Sequence, residues 1–195
     1  MEHKFFSKAL VKEVNRRNGE YDRPLDIPLE ILMFGIGEGD RILHAGCCYS
    51  KCNLLNKLEE YNIPTFYLGV DVKDEIKEIS KNYENVDNYS FAQQSIQEFI
   101  DEELDGYSGD NVFDYTILTG IFNKPIYEDN QYLFISTIIH RCMTFSDKVI
   151  FTLDTSDYNK YNYSVLYVIN NVINMYDSVA VKKVKKHNYI FCITH

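Results

Sequence analysis

Short apolar runs typical of β-strands alternate along this chain with segments whose apolar residues recur at helical spacing. The predicted strands are Arg41 to Ala45, Thr65 to Val72, a weaker run around Tyr89-Ser-Phe-Ala, Val112 to Leu118, and Lys148 to Leu153. The predicted helices among them are a segment with Leu54, Leu55 and Leu58, then Asp74 to Lys81, a segment with Ile96, Phe99, Ile100 and Leu104, and Asn130 to Met143. This alternation predicts a mostly parallel sheet covered by helices.

The two ends of the chain depart from this alternation. Helices are predicted at Phe5 to Arg17 and near Pro28 to Phe34, before the first strand, and at Tyr163 to Tyr176 after the last parallel one. The final strands, Val179 to Val184 and Tyr189 to Thr194, are separated only by Lys185 to Asn188. Such a connection is too short for a parallel crossover, so an antiparallel hairpin ends the sheet.

Composition is consistent with one globular domain inside the cell. The chain has 195 residues, of which 45% are hydrophobic, and no apolar run approaches the roughly 20 residues of a membrane span. Its start does not resemble a signal peptide. The cysteine count is odd, five, with Cys47, Cys48 and Cys52 crowded together. We therefore expect reduced thiols, a cytoplasmic protein and no membrane partner, while the oligomeric state stays open.

Charge affects the expected partners. The net charge of −9 disfavours wide contact with a phosphate backbone, which is bound mainly through Lys and Arg. The basic run from Lys182 to Lys186 is interpreted as a solvated hairpin tip, with a small anion-binding patch as the alternative. A small-molecule acceptor without an extended nucleic-acid surface is therefore expected.

Candidate chemistry gathers at three strand ends. Parallel sheets of this kind bind ligands at the carboxyl ends of their strands, beside helix N-termini. The stretches there are His44-Ala-Gly-Cys-Cys-Tyr-Ser50, Gly69-Val-Asp71-Val and Thr119-Gly-Ile-Phe-Asn123. Only residues in such loops can converge on one ligand.

These stretches resemble motifs of the class I S-adenosylmethionine-dependent methyltransferases. Gly37-Glu-Gly-Asp-Arg-Ile-Leu-His-Ala-Gly-Cys-Cys is similar to the entry into that family's glycine-rich loop, Gly69-Val-Asp71 to its ribose-binding strand end, and Phe113 to Asn123 to its fourth-strand motif. The resemblance covers roughly Gly37 to His195. It implies a Rossmann-like three-layer sandwich with a mostly parallel seven-stranded sheet. Residues 1–36 would form an N-terminal helical cap and residues 37–195 the core of a single domain.

The resemblance also implies a cofactor, S-adenosylmethionine, with S-adenosylhomocysteine as product. Gly46 would let backbone N–H groups approach the methionine portion, and Asp71 would accept hydrogen bonds from the ribose hydroxyls. The alternative for Asp71 is a plain surface acid. The cofactor-binding residues implied are Ala45, Gly46, Cys47, Asp71, Val72, Gln94, Ser95 and Thr119.

The chain also departs from the family pattern. His44, Cys48 and Ser50 stand where the family usually has an acidic residue and two further glycines. Any position there that requires a positive φ would cost about 1–2 kcal/mol. The leading interpretation is a methyltransferase acting on a metabolite, sugar or modified nucleotide. The alternative is a catalytically inactive methyltransferase-like binding or regulatory protein.

The acceptor side offers fewer signals. Asp154, after the fifth strand, is the candidate general base, and the segment with Tyr21 and Arg23 could fold over the cleft. His140, late in a helix, is interpreted as structural. The similarity of Asn123-Lys-Pro125 to an amino-methyltransferase signature is rejected, because Thr119-Gly120 already occupies the strand end.

Two other chemistries are disfavoured. A metal site built from Cys47, Cys48, Cys52 and His44 is not expected, because adjacent cysteines on a tight turn should point in different directions. A nicotinamide-dependent enzyme lacks its G-x-G-x-x-G motif and would not explain the terminal hairpin.

Overall fold

The computed structural model describes residues 27–48, 53–104, 112–122, 131–154, 170–171, 174–184 and 188–195. The predicted helix Phe5 to Arg17 and the segment with Tyr21 and Arg23 lie outside these residues. So do Ser50, Cys52 and the stretch Asn123 to Pro125.

The described residues form one seven-stranded sheet. Its strands are β1 (Arg41–Ala45), β2 (Phe66–Asp71), β3 (Tyr89–Gln93), β4 (Phe113–Leu118), β5 (Ser146–Asp154), β6 (Ser178–Lys183) and β7 (Asn188–Thr194), in the order β3-β2-β1-β4-β5-β7-β6. The pairs among β1 to β5 are parallel, whereas β7 pairs antiparallel with both β5 and β6. The mostly parallel sheet with its terminal hairpin is therefore confirmed.

Helices connect and cover these strands. They are α1 (Ile27–Leu32), α2 (Asn53–Glu60), α3 (Glu75–Asn82), α4 (Ile96–Glu103) and α5 (Gln131–Met143). Residues 170–171 and 174–175 are also helical, within the predicted helix Tyr163 to Tyr176. For the predicted elements whose two ends both lie in the described residues, the observed bounds agree to within two residues. No helix in the described part of the chain is long and apolar enough to cross a membrane.

Alternate residues of the central strands feed two hydrophobic cores. Leu43 and Phe151 belong to one buried cluster, whereas the neighbouring Ile42 and Ile150 belong to the other. Because side chains alternate across a strand, the two clusters lie on opposite faces of the sheet. The near-continuous apolar β4 is explained in the same way, since it is covered on both sides.

Candidate functional site

A cavity of about 380 Å³ lies at the carboxyl ends of β1, β2 and β4, next to the N-terminus of α4. Its volume falls within the usual range of small-molecule sites, about 300–1,000 Å³. The predicted cofactor residues that line it are Ala45, Gly46, Asp71, Val72, Gln94, Ser95 and Thr119. Cys47 is buried and is not part of the lining. The strand ends identified in the sequence thus border one cavity.

Asp71 links the two strand ends that border this cavity. The side chain is 8% exposed, and its Oδ2 accepts a hydrogen bond from the Cys48 amide at 2.9 Å. Its Oδ1 accepts one from the Lys73 amide at 3.0 Å. Each carboxylate oxygen can accept a further bond, so Asp71 is held in place and keeps acceptor capacity toward the cavity.

Gly46 is required by the fold itself. Its φ is +79°, and a Cβ at this position would lie 1.9 Å from the carbonyl oxygen of Thr119, at the end of β4. The Gly46 amide donates to the Val70 carbonyl oxygen at 2.8 Å. Gly46 therefore lets the turn after β1 pass close to the neighbouring strand, a reason separate from any contact with a ligand.

His44, the residue in place of the family's acid, is buried within a chain of hydrogen bonds. Its Nδ1 is 2.6 Å from the Tyr67 hydroxyl, and its Nε2 is 2.7 Å from Thr119 Oγ1. The Thr119 hydroxyl donates its single proton to the Gly46 carbonyl oxygen at 2.9 Å. His44 Nε2 must then donate to Thr119, and Nδ1 accepts from Tyr67. Burial lowers the pKa of His44 from 6.5 to about 3, so the imidazole is neutral.

The same chain of bonds limits what Thr119 offers to a ligand. Its amide donates to the Ala45 carbonyl oxygen at 3.0 Å, and its hydroxyl proton is committed to Gly46. Thr119 therefore contributes wall surface to the cavity and no further donor. No sequence pattern predicted this arrangement, because Tyr67 and Thr119 are 23 and 75 residues from His44 along the chain.

Ser95 has a structural role as well as a place in the cavity wall. Its side chain accepts from the Glu98 amide, and the Glu98 carboxylate accepts from the Ser95 amide at 2.8 Å, which completes a capping box at the start of α4. Hydrogen bonding to Ser95, mainly the bond from its amide, lowers the pKa of the Glu98 carboxyl. The cap fixes the N-terminus of α4 at the cavity edge.

Cys48 does not occupy a position that requires a positive φ. Among the described non-glycine residues only Asn62 has a positive φ, so Cys48 replaces a glycine without entering the left-handed region. The turn after β1 therefore tolerates this departure from the family pattern.

Asp154 and His140 lie away from the cavity. Asp154 ends β5 at the carboxyl edge of the sheet and pairs with Asn188 of β7, but it does not line the cavity. His140 is exposed on α5. Asp154 therefore lies at the same edge of the sheet as the cavity but outside the lining that the predicted cofactor residues form.

The structure corrects the expected divergence of two cysteine side chains. Ligand atoms of Cys47, Cys48 and Asp71 all lie within 4.8 Å of one another, and the three residues are buried. The sequence identified each residue separately but not this cluster, which depends on how the turn after β1 folds over the end of β2. Cys142 and Cys192 are also buried thiols.

Part of the basic run Lys182 to Lys186 lies at the edge of the sheet where the parallel strands end. Lys183, at the carboxyl end of β6, pairs with Tyr189 of β7, next to the pairing of Asn188 with Asp154. Lys183 is exposed, whereas Lys182 forms an ion pair with Glu30 of α1. The antiparallel hairpin therefore returns positive charge to the edge where the parallel strands end.

Comparison by sequence finds no matching family model and no matching curated protein. Solved structures do match. A chain of the Pnkp1/Rnl/Hen1 RNA repair complex is 18% identical with a TM-score of 0.55, covering 85% of this chain and 40% of its own. An rRNA methylase from Streptococcus thermophilus is 10% identical with a TM-score of 0.56, covering 90% and 98%. M. capricolum TrmK in complex with S-adenosylhomocysteine is 15% identical with a TM-score of 0.53, covering 88% and 69%.

The chain spans about two fifths of the length of the repair-complex chain it matches. Other structural neighbours include the citrinin polyketide synthase CMeT domain.

The expectation of a small-molecule acceptor without an extended nucleic-acid surface is wrong, because these neighbours include an RNA repair complex and an rRNA methylase. Net charge sums over the whole surface, whereas an acceptor contacts only one edge of it. A total of −9 therefore says little about the edge that carries Lys183.

Similarities at 8% to 18% identity concern the fold alone. In this chain the fold has the strand order β3-β2-β1-β4-β5-β7-β6, with β7 reversed and a cavity at the carboxyl ends of the parallel strands. The chain therefore has the fold of the class I S-adenosylmethionine-dependent methyltransferases, as its sequence motifs predicted.

Proposed function

We propose that the chain binds S-adenosylmethionine in this cavity and transfers its methyl group to RNA. One observation carries the proposal: the turn after β1 and the carboxylate at the end of β2 border the same hollow, through Gly46 and Asp71. Open α/β sheets bind their ligands at the carboxyl ends of their strands, which is where this cavity lies.

The residues present fit an adenosine-bearing cofactor. Asp71 supplies a fixed carboxylate for the ribose hydroxyls. Ile96, Ile121 and Phe134 give the wall an apolar part that suits a base, and Gln94 adds an amide to the lining. The bound cofactor supplies an activated methyl group, and the protein's task is to hold the acceptor atom about 3–3.5 Å from it.

RNA is the acceptor class that two findings favour. Two of the solved neighbours are named for RNA repair or rRNA methylation. In addition, Lys183 is exposed at the same sheet edge as the cavity, where it can meet a phosphate while a nucleotide enters. An acidic chain that contacts RNA phosphates through few Lys or Arg side chains should bind RNA with an affinity that depends only weakly on salt concentration.

Cofactor binding is tested by calorimetric titration with S-adenosylmethionine and S-adenosylhomocysteine. Asp71→Ala should weaken binding by about tenfold or more, because a hydrogen bond to a charged group contributes about 1.5–3 kcal/mol. Asp87→Ala, which removes an exposed acid outside the cavity lining, is the matched control and should bind as the wild type does. Failure of both ligands to bind the folded wild type would refute the proposal.

Transfer is tested with cofactor labelled on its methyl group. The labelled cofactor is incubated with bulk tRNA, bulk rRNA and a metabolite extract in parallel. We expect label in precipitable RNA that ribonuclease releases. Label confined to the metabolite fraction would overturn the RNA acceptor. Cofactor binding without transfer to any fraction would favour the inactive, regulatory alternative.

A further inference from the structure

We propose that Cys47, Cys48 and Asp71 form a binding site for a thiophilic divalent cation of the zinc class. Their ligand atoms lie within 4.8 Å of one another, and all three side chains are buried. The cluster joins the turn after β1 to the end of β2, and of its three residues only Asp71 lines the cavity.

The local structure holds these ligand atoms together. The Cys48 amide donates to Asp71 Oδ2, so the backbone that carries one thiol also positions the carboxylate. The Lys73 amide holds the other carboxylate oxygen. A Cβ on Gly69 would lie 3.0 Å from Cys47 Sγ, so a glycine in β2 leaves the space that this thiol occupies.

The chemistry of the donor set selects the class of ion. Two thiols and a carboxylate suit zinc and similar ions, whereas magnesium and calcium prefer oxygen ligands only. Zn–S bonds of about 2.3 Å and Zn–O bonds of about 2.0–2.2 Å in a tetrahedron put ligand atoms roughly 3.5–3.8 Å apart. Because 4.8 Å is the upper limit of the present separations, the ligand atoms have to approach one another by at most about 1.3 Å. Each thiol loses its proton to solvent when its sulfur binds the ion, and the fourth position is left to water.

A consequence for the cavity rests on the proposed function. Asp71 is both a ligand of this ion and the proposed partner of the cofactor ribose. The ion draws the carboxylate toward Cys47 and Cys48, so the ion and S-adenosylhomocysteine compete. The cluster thereby makes cofactor binding sensitive to thiophilic metal.

The probe is Co²⁺, titrated without oxygen into the full chain, with a reductant that does not bind metal. We expect one ion per chain, a sulfur-to-cobalt charge-transfer band, and displacement by Zn²⁺. Cys47→Ser and Cys48→Ser should each weaken binding at least tenfold and reduce the band. Cys142→Ser and Cys192→Ser, which remove buried thiols elsewhere, are the matched controls and should leave both unchanged.

A measurement on the wild type avoids dependence on variants that fold poorly. Zn²⁺ should protect Cys47 and Cys48 from alkylation, with the modified positions identified by peptide mass mapping. Lack of a charge-transfer band, a band unaffected by both serine substitutions, or equal alkylation with and without Zn²⁺ would each overturn the site.

Competition separates this inference from the proposed function. A Kd for S-adenosylhomocysteine that rises with added Zn²⁺ supports Asp71 as a shared ligand. An unchanged Kd beside demonstrated Zn²⁺ binding would reject that sharing. If S-adenosylhomocysteine binds but Co²⁺ does not, the metal site is refuted while the proposed function stands. If Co²⁺ binds but S-adenosylhomocysteine does not, the metal site stands and the proposed function is refuted.

Discussion

The buried imidazole of His44 makes a quantitative prediction about stability and pH. His44 is 2% exposed and hydrogen-bonded at both ring nitrogens, and burial lowers its pKa from 6.5 to about 3. Below pH 6.5 the unfolded chain therefore binds a proton that the folded chain does not. Acidification then stabilises the unfolded state alone.

The magnitude follows from the same linkage. One proton of difference lowers the free energy of unfolding by about 1.4 kcal/mol per pH unit between the two pKa values. By pH 4.5, about two units below the unfolded pKa, the loss from His44 amounts to roughly 3 kcal/mol. Above pH 6.5 this contribution to stability is fully present.

The assay compares urea unfolding of the wild type and His44→Gln from pH 7.5 to pH 4.5. Glutamine cannot ionise, so the variant loses this one titration while every carboxylate remains. The stability difference between the two proteins should narrow, by roughly 3 kcal/mol, as the pH falls. His140→Gln removes an exposed imidazole as the matched control, and its free energy of unfolding should keep the wild-type dependence on pH because His44 is retained.

Parallel curves for the wild type and His44→Gln would refute the buried neutral imidazole. A second readout needs no variant: the ring nitrogen shifts of His44 by NMR should report the Nε2–H tautomer and no titration down to pH 4.5. A midpoint near the ordinary histidine pKa, or the opposite tautomer, would contradict the hydrogen-bond chain through Thr119.

Three further predictions concern packing and backbone geometry, each measured by urea or thermal unfolding. Gly46→Ala should cost about 3 kcal/mol or more, because its Cβ would overlap a carbonyl oxygen, whereas Gly39→Ala, with the same φ of +79° and nothing within 4 Å, should cost about 1–2 kcal/mol. Equal losses would refute this. Phe191→Ala should cost about 3–5 kcal/mol, since the ring is fully buried and stacked, and Phe66→Ala, 53% exposed, should cost far less. Ser95→Ala should cost about 1 kcal/mol through loss of the helix cap, and an unchanged stability would exclude that cap.

Much of the fold was predictable because the apolar pattern of each segment reflects which of its faces are buried. The run Val112 to Leu118 is nearly continuously apolar, as a strand covered on both faces should be, and β4 begins one residue later and ends at the same residue. The hairpin followed from a connection too short for a crossover. Gly46 and Asp71 could also be assigned to one sheet edge, because carboxyl ends of parallel strands share an edge.

Local pattern, however, does not encode which distant residues meet. The insertion of β7 between β5 and β6 depends on strand pairing, and the partners of His44 depend on β2 and β4 flanking β1. The sequence by itself determined the elements, their order and the sheet edge on which the candidate cofactor residues lie, since periodicity and loop length are properties of neighbouring residues. Tertiary structure alone decided the neutral state of His44, the clash that requires Gly46 and the meeting of Cys47 with Asp71, because each arises from contacts between strands far apart in the chain.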